Sequence, residues 1–195
     1  MAECQFFHPQ IVGADVRRLK LFLRKPGLTL MAQSSRCHRV HFVRYDLKHQ
    51  EAMLALHRSA IEGFELGMTQ QQDEADLMAI EEAYLLPGGE FLLGLMGERL
   101  IAMGGFKRKS KDSAELRRMR IARELQGQGY GSLLLHELEH RAFQAGIRTL
   151  CLDTALRRPL TLKFYRKHGY QETGRSFYGA VETAQFAKTL TENPR

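Results

Sequence analysis

The chain has 195 residues, of which 44% are hydrophobic and 26% are charged. This length is enough for one well-packed globular domain and short for two. The three cysteines, Cys4, Cys37 and Cys151, are far apart and include no Cys-x-x-Cys pair, which argues against a disulfide framework and a cysteine zinc site. No run of about eighteen uncharged apolar residues is present, so the sequence predicts no membrane-spanning helix and no secretory leader, and we expect a cytoplasmic protein.

The formal net charge of +7 is unevenly distributed along the chain. Residues 1–44 contain eight basic and two acidic residues, whereas residues 45–195 contain 21 basic and 20 acidic residues, so the basic excess does not indicate a nucleic-acid-binding domain. Residues 59–98 contain nine acidic residues and no Lys or Arg, and residues 107–123 contain eight basic residues against two acidic ones. This distribution predicts one anionic and one cationic face.

The first 36 residues differ in pattern from the remainder of the chain. Val16, Leu19 and Phe22 have helical spacing among basic residues until Pro26-Gly27 breaks the pattern. A basic amphipathic helix can bind lipid or nucleic acid, and the simpler interpretations are a loosely attached extension or a leader before a start at Met31. We therefore divide the chain into a basic N-terminal extension (residues 1–36), a domain (residues 37–190) and a tail (residues 191–195).

The first half of the domain predicts one strand, two helices and three further strands. Alternating apolar residues predict the first strand at residues 40–45, and helical spacing predicts helices from Met53 to Phe64 and from Leu77 to Leu85. Pro87-Gly88-Gly89 ends the second helix. A hairpin of strands at residues 91–95 and 100–106 follows, and then a strand at residues 115–121.

The second half begins with a glycine loop and the helix that follows it, which Gly146 closes. The predicted elements are then a strand at residues 149–154, a helix at residues 160–168, and two strands near residues 170–174 and 181–188. The complete order is β-α-α-β-β-β-α-β-α-β-β.

The glycine loop at residues 126–131 reads Gln-Gly-Gln-Gly-Tyr-Gly. Alternate glycines let the backbone approach a ligand, and the first-turn N–H groups and dipole of the following helix favour an anion such as a pyrophosphate. The spacing does not match a P-loop, which needs Gly-Lys-Ser/Thr at residues 131–133, or a dinucleotide fingerprint, which needs glycine in place of Ser132.

The motif Gln126-x-x-Gly129-x-Gly131 is similar to the Gln/Arg-x-x-Gly-x-Gly/Ala signature of the GNAT superfamily of acyl-CoA N-acyltransferases, and the element order over about residues 38–190 resembles the fold of that family. The resemblance implies an α/β (α+β) fold with a mixed, mostly antiparallel twisted sheet of six to seven strands and about four helices. It implies transfer of an acetyl group from acetyl-CoA to a primary amine without a metal. It assigns to acetyl-CoA binding Met119, Arg120, Ile121, Gln126, Gly127, Gln128, Gly129, Tyr130, Gly131 and Ser132. The Ile121 backbone N–H is the donor that it implies for the thioester carbonyl.

Residues 164–170, Phe-Tyr-Arg-Lys-His-Gly-Tyr, resemble the family segment Leu/Phe-Tyr-x-Lys-x-Gly-Phe/Tyr. Its tyrosine serves as a general acid, which implies that Tyr165 gives a proton to the leaving thiolate. The family often has Asn seven residues and Ala four residues before this tyrosine, where this chain has Arg158 and Thr161. One hydrogen bond to the coenzyme is therefore expected to come from a different group.

Glu115 is the candidate base, because it lies eleven residues before Gln126, the spacing of the catalytic glutamate in the histone-acetylating branch of the family. An amine must lose a proton before it attacks a thioester, and a carboxylate can take that proton directly or through water. The alternative is a strand glutamate that is paired with Arg117 or a neighbouring arginine. The sequence leaves both interpretations open.

Two other functions compete with an acetyltransferase. His136-Glu137-Leu138-Glu139-His140 matches the His-Glu-x-x-His zinc-protease signature, but Phe143 and Gly146 stand where the longer form has Gly and His, so we treat the match as accidental. A non-catalytic acyl-CoA-binding regulatory protein would keep the glycine loop without turnover. We expect the acceptor to be an amine of a small molecule or a peptide, and a cationic one if residues 59–98 border the acceptor site. We expect no nucleic-acid or membrane partner. The sequence leaves open whether the protein is a monomer or a homodimer.

Overall fold

The computed structural model describes residues 39–62 and 74–192. Its elements are β1 (Val40–Arg44), α1 (Gln50–Ile61), a π-helix (Glu81–Leu85), β2 (Glu90–Met96), β3 (Arg99–Arg108), β4 (Ser113–Ile121), α2 (Tyr130–Gln144), β5 (Thr149–Ala155), α3 (Pro159–Lys167), β6 (Gln171–Tyr178) and β7 (Val181–Thr189). This order confirms the predicted order of strands and helices. The N-terminal extension and Phe64 lie outside the described residues. No helix within the described ranges is long and apolar enough to cross a membrane.

The seven strands form one sheet in the order β1-β2-β3-β4-β5-β7-β6. All neighbours are antiparallel except β4 and β5, which are parallel. The sheet is therefore mixed and mostly antiparallel with seven strands, as the family resemblance implies.

Helices cover both faces of the sheet. Neighbouring strand residues point to opposite faces, so the contacts of Gly104 and Gly105 on β3 identify the helix on each side. A Cβ on Gly104 would meet Leu134 and Leu138 of α2, whereas a Cβ on Gly105 would meet Phe91, whose ring packs edge-on against Tyr84 of the π-helix at 4.9 Å. All four of these larger side chains are buried completely. Burial of each stabilises the fold by roughly 1.5–3 kcal/mol.

Most boundaries differ from the sequence prediction by one to three residues, and two elements differ in kind or by more than that. The second helix was predicted from Leu77 to Leu85, but only Glu81–Leu85 is regular, and it is a π-helix in which the Leu86 N–H donates to the Glu81 carbonyl, five residues back (2.8 Å). The strand predicted near residues 170–174 extends to Tyr178, because Ser176 and its neighbours pair with β7. Local residue patterns do not contain these tertiary partners.

Candidate active site

The glycine loop has the backbone conformation that its sequence predicts. Gly127 and Gly129 have φ angles of 76° and 93°, which L side chains rarely adopt, and a Cβ on either would meet no atom within 4 Å. Glycine is therefore required here by backbone conformation, while the space outside the loop stays open. Gly129 is the N-cap of the fifteen-residue α2, and no acidic residue lies in the first turn. The first-turn N–H groups and the helix dipole make this a suitable place for an anion.

Side chains of the loop brace it against its surroundings. The Gln126 amide donates to the Ile121 carbonyl (3.1 Å), and the Gln128 amide donates to the Glu124 carbonyl (2.8 Å), which ties the loop to the end of β4. The Ser132 hydroxyl lies 2.9 Å from His168 Nε2, and His168 Nδ1 lies 2.8 Å from the Phe164 carbonyl oxygen. Because a carbonyl oxygen only accepts, Nδ1 carries the proton of that bond, and His168 thus fastens α3 to the first turn of α2.

Strands β4 and β5 separate beside this loop. They pair over only three positions, of which Glu115 opposite Cys151 is the last, although β4 continues to Ile121 and β5 to Ala155. The edge of β4 beyond Glu115 is therefore not paired with β5. The strand then leads through the short turn Arg123–Leu125 into the glycine loop. The predicted binding residues Met119, Arg120 and Ile121 all lie on the separated part of β4.

A bulge bends β4 within this separated part. Two residues, Arg118 and Met119, lie opposite the single residue Gly104 of β3, and Arg118 has a φ angle of 58°, the one positive φ of a non-glycine among the described residues. Such a conformation persists only where contacts enforce it. The Arg118 guanidinium donates to the Asp76 carboxylate (2.7 Å), and both side chains are nearly buried.

Asp76 is the centre of a polar cluster under the bulge. It accepts a hydrogen bond from the Tyr84 hydroxyl (2.6 Å), and the Lys107 ammonium lies 3.5 Å away. Burial alone would raise the pKa of Asp76, but the hydrogen bond and charge of Arg118, with Tyr84 and Lys107, hold that pKa below its usual value. The carboxylate is therefore ionised at neutral pH and fixes Arg118.

Tyr165 lies on α3 and is buried among aromatic rings. Its ring centroid is 5.2 Å from that of Phe164 and 5.5 Å from that of Tyr170. Burial raises the pKa of Tyr165 to about 12, against the opposing charges of Arg120 and Arg158. The hydroxyl therefore keeps its proton at neutral pH. Arg120 lies on the separated part of β4, and its positive charge is close enough to lower the pKa of Tyr165.

Glu115 lies at the last position of β4 that pairs with β5, and two cations contact it. Its carboxylate is 3.4 Å from the Lys109 ammonium and 3.4 Å from the Arg117 guanidinium. The ion-paired arrangement that the sequence left open is therefore present, with Arg117 as one partner. Whether Glu115 also acts as a base stays a prediction.

Sequence reasoning missed two residues of this region. His168 was not singled out within the segment 164–170, yet it connects α3 to the first turn of α2. Asp153 follows Cys151 by two residues on β5 and enters the separation of β4 and β5. A carboxylate in a strand that has no other charged residue was the signal that could have marked Asp153.

The residues of the His-Glu-x-x-His match have other contacts. The His136 ring packs edge-on against His168 at 5.7 Å, the Glu137 carboxylate accepts from Arg141 (2.8 Å), and His140 is exposed. Within residues 39–62 and 74–192, no group of three or more His, Cys, Asp or Glu side chains could hold a metal ion.

The acidic residues of the segment 59–98 are partly neutralised in the fold. Four of them form ion pairs with arginines outside the segment, Glu62 with Arg123, Glu74 with Arg58, Asp76 with Arg118 and Glu90 with Arg44. Glu81, Glu82 and Glu98 are exposed, and Glu65 and Asp73 lie outside the described residues. The anionic face among the described residues is thus smaller than the local charge count indicates, because its counter-charges come from arginines outside the segment.

Comparisons with known proteins agree with this geometry. The model of the acetyltransferase (GNAT) family matches residues 51–170, whereas comparison with curated protein sequences gives no match. Three similar solved structures are an acetyltransferase of the GNAT family from Staphylococcus aureus Mu50 (20% identity, TM-score 0.70, covering 78% of this chain and 100% of that chain), YncA from Salmonella typhimurium with its cofactor acetyl-CoA (16%, 0.66, 80% and 96%) and the ribosomal-protein-S18-alanine N-acetyltransferase from Escherichia coli (18%, 0.64, 78% and 95%). At these identities the structural likeness shows the fold alone. Because the family model spans more than half of the 195 residues, the chain belongs to the GNAT family of acetyltransferases.

Proposed function

We propose that the protein transfers an acetyl group from acetyl-CoA to a primary amine of a small molecule or a peptide. The observation that carries the proposal is that the open edge of β4 leads directly into the glycine loop at the start of α2. One continuous stretch of backbone can thus meet both an acyl chain and an anionic group. Family membership and the position of the buried Tyr165, which is protonated at neutral pH, support the same reaction.

The glycine loop fits the pyrophosphate of acetyl-CoA. The space beside Gly127 and Gly129 is open, and the first turn of α2 carries no acidic side chain that would repel an anion. Backbone N–H groups between Gly127 and Ser132 would hold the pyrophosphate, and Met119, Arg120 and Ile121 would hold the acyl end. When bound, acetyl-CoA supplies an activated thioester.

Tyr165 holds the proton that the reaction needs on the leaving-group side. Its hydroxyl stays protonated because burial opposes the phenolate. A proton held at the Tyr165 oxygen neutralises the departing thiolate, which is the role of a general acid. Its aromatic neighbours Phe164 and Tyr170 fix the ring and exclude water from it.

Two exposed carboxylates bear on the choice of acceptor. Glu81 and Glu82 remain exposed on the π-helix, on the sheet face to which Lys107 and Glu115 also belong. These two carboxylates favour a cationic amine at that face. The attraction is weaker than it would be if all nine acidic residues of the segment 59–98 were unpaired, because four of them form ion pairs with arginines: Glu62, Glu74, Asp76 and Glu90.

One observation favours a second candidate function. Lys109 and Arg117 both form ion pairs with the Glu115 carboxylate. These ion pairs leave Glu115, the base that the sequence predicts, less available for proton transfer. A regulatory protein that binds acyl-CoA without turnover would show this arrangement. The two functions differ in whether an amine causes release of free coenzyme A.

Calorimetry with acetyl-CoA, followed by a thiol assay with a panel of amines, tests the proposal. The panel contains polyamines, amino acids, aminoglycosides and short peptides. We expect binding and amine-dependent release of coenzyme A. Binding without release from any amine would support the regulatory protein, and absence of binding would contradict both.

A further inference from the structure

We propose that His168 takes up a proton when the pyrophosphate of acetyl-CoA binds the glycine loop, and that this proton turns the Ser132 hydroxyl towards the anion. The inference rests on the proposed function, because it needs acetyl-CoA at the loop. A chain of two hydrogen bonds carries it. The Ser132 hydroxyl lies 2.9 Å from His168 Nε2, and His168 Nδ1 lies 2.8 Å from the Phe164 carbonyl oxygen.

The Phe164 carbonyl decides which ring nitrogen of His168 carries a proton. A carbonyl oxygen only accepts, so the proton is on Nδ1, and Nε2 of the neutral ring has only a lone pair. Ser132 must therefore donate its hydroxyl proton to Nε2. While His168 is neutral, the hydroxyl has no proton left for an anion at the loop.

The hydroxyl is the donor that Ser132 can offer to a pyrophosphate. The Ser132 backbone N–H already donates to the Gly129 carbonyl (3.0 Å). An ionised phosphate oxygen only accepts hydrogen bonds, so it gains one from Ser132 only when the hydroxyl proton turns away from His168. An imidazolium allows this turn, because its Nε2–H donates to the Ser132 oxygen. One proton on His168 thus supplies one hydrogen bond to the anion.

Two helix ends meet at His168 and have opposite effects on its charge. His168 is the C-cap of α3, and the carbonyl groups at that end carry a partial negative charge that favours an imidazolium. Ser132 lies in the first turn of α2, where the N–H groups carry a partial positive charge that disfavours it. A pyrophosphate at this turn reverses the second effect, because its negative charge attracts the imidazolium. The anion and the proton therefore strengthen each other's binding.

The neighbours of His168 include one other imidazole. The His136 ring of α2 packs edge-on against it at 5.7 Å, so a charge on His136 would compete with a charge on His168. Of the two rings, His168 is the one that contacts Ser132. Lys167, the preceding residue, is exposed to solvent. Two further cations beside this end of α3 are paired with carboxylates: Lys188 with Glu139, and Arg166 with Glu172.

Calorimetry of acetyl-CoA binding in buffers with different heats of ionisation counts the protons that the complex takes up. Near neutral pH we expect about half a proton or more per bound ligand. The affinity should rise as pH falls, by up to about tenfold per pH unit, until His168 is protonated before the ligand binds. The 3′-phosphate of coenzyme A also titrates in this range, so 3′-dephospho-acetyl-CoA is the second ligand. Uptake with acetyl-CoA alone would overturn the assignment to the protein.

Substitutions locate the proton on His168. His168→Gln places a neutral amide that donates to Ser132 at every pH, so it should bind acetyl-CoA near neutral pH about as well as the wild type and lose the proton uptake. His168→Phe keeps a ring beside Phe164 but has no donor, and it should bind about tenfold more weakly. His140→Gln, at an exposed position of α2, is the matched control and should keep the uptake. His136→Gln should keep it too.

NMR of the full chain with isotope-labelled histidine gives a readout that does not depend on folding of a variant. Neutral His168 should be the Nδ1–H tautomer, and its ring should become protonated when acetyl-CoA is added. The Nε2–H tautomer, binding by the wild type without proton uptake, or loss of uptake in His136→Gln but not in His168→Gln would each overturn the inference and leave the acetyltransferase intact. Failure of the wild type to bind acetyl-CoA would overturn the proposed function and this inference with it.

Discussion

Replacement of Asp76 by asparagine should destabilise the bulge of β4. The substitution removes the charge that faces Arg118, whose side chain is only 11% exposed, while the Asp76 side chain is 13% exposed. Loss of one partner of a buried ion pair costs about 3–5 kcal/mol, and we expect the lower end because an amide oxygen still accepts a hydrogen bond. A loss of about 3 kcal/mol lowers the melting temperature of a protein of this size by about 6–12 °C.

Thermal unfolding by circular dichroism checks this value. Asp46→Asn is the matched control, because Asp46 pairs with Lys48 at an exposed position and its loss should leave the melting temperature unchanged. The pKa of Asp76 is lowered in the fold, so its stabilisation is present above the unfolded pKa and disappears as pH falls through the folded pKa. The difference between Asp76→Asn and wild type should therefore shrink in acid. Equal melting of Asp76→Asn and Asp46→Asn at neutral pH would refute the role of the ion pair.

Three further predictions concern the proposed site. Tyr165→Phe should lower turnover by about a hundredfold while acetyl-CoA affinity, measured by calorimetry, stays unchanged; an equal loss of affinity would indicate a packing role instead. Gly129→Val should abolish acetyl-CoA binding, whereas Gly97→Val, at a φ of 62° in the β2–β3 turn, should carry similar backbone strain and keep binding; equal binding by both variants would contradict the loop assignment. In alkali, the folded state keeps the Tyr165 proton from about pH 10, the unfolded pKa, to about 12, so Tyr165 alone should lower the free energy of unfolding by up to about 1.4 kcal/mol per pH unit across this window. The buried Tyr84 and Tyr170 add their own decline, so the measured fall should be less steep in Tyr165→Phe by about that amount.

Periodicity and turn residues predicted most of the architecture. The element order follows from the apolar patterns, and the glycine loop could be assigned because Gly127 and Gly129 occupy positions that only glycine adopts easily. The extent of β6 and the π-helix could not be predicted, since they depend on β7 and on the Leu86 hydrogen bond to Glu81.

The electrostatics of the site were harder to predict than its backbone. Arg118 looks like an ordinary strand residue, and neither its positive φ nor its pairing with Asp76, 42 positions away, has a local signal. Glu115 was identified by its spacing to Gln126, but its partner Lys109 depends on the β3–β4 turn. The position of Asp153 beside the separated strands could not be predicted, because it depends on the pairing of β5 with β4.

Transfer of a radiolabelled acetyl group from acetyl-CoA to an amine tests the central claim most directly. Wild type and Tyr165→Phe are compared after calorimetry has shown that both bind acetyl-CoA. We predict label in the amine product with the wild type and about a hundredfold less label per unit time with Tyr165→Phe. Absence of label from every amine with wild-type protein that binds acetyl-CoA would contradict the acetyltransferase function.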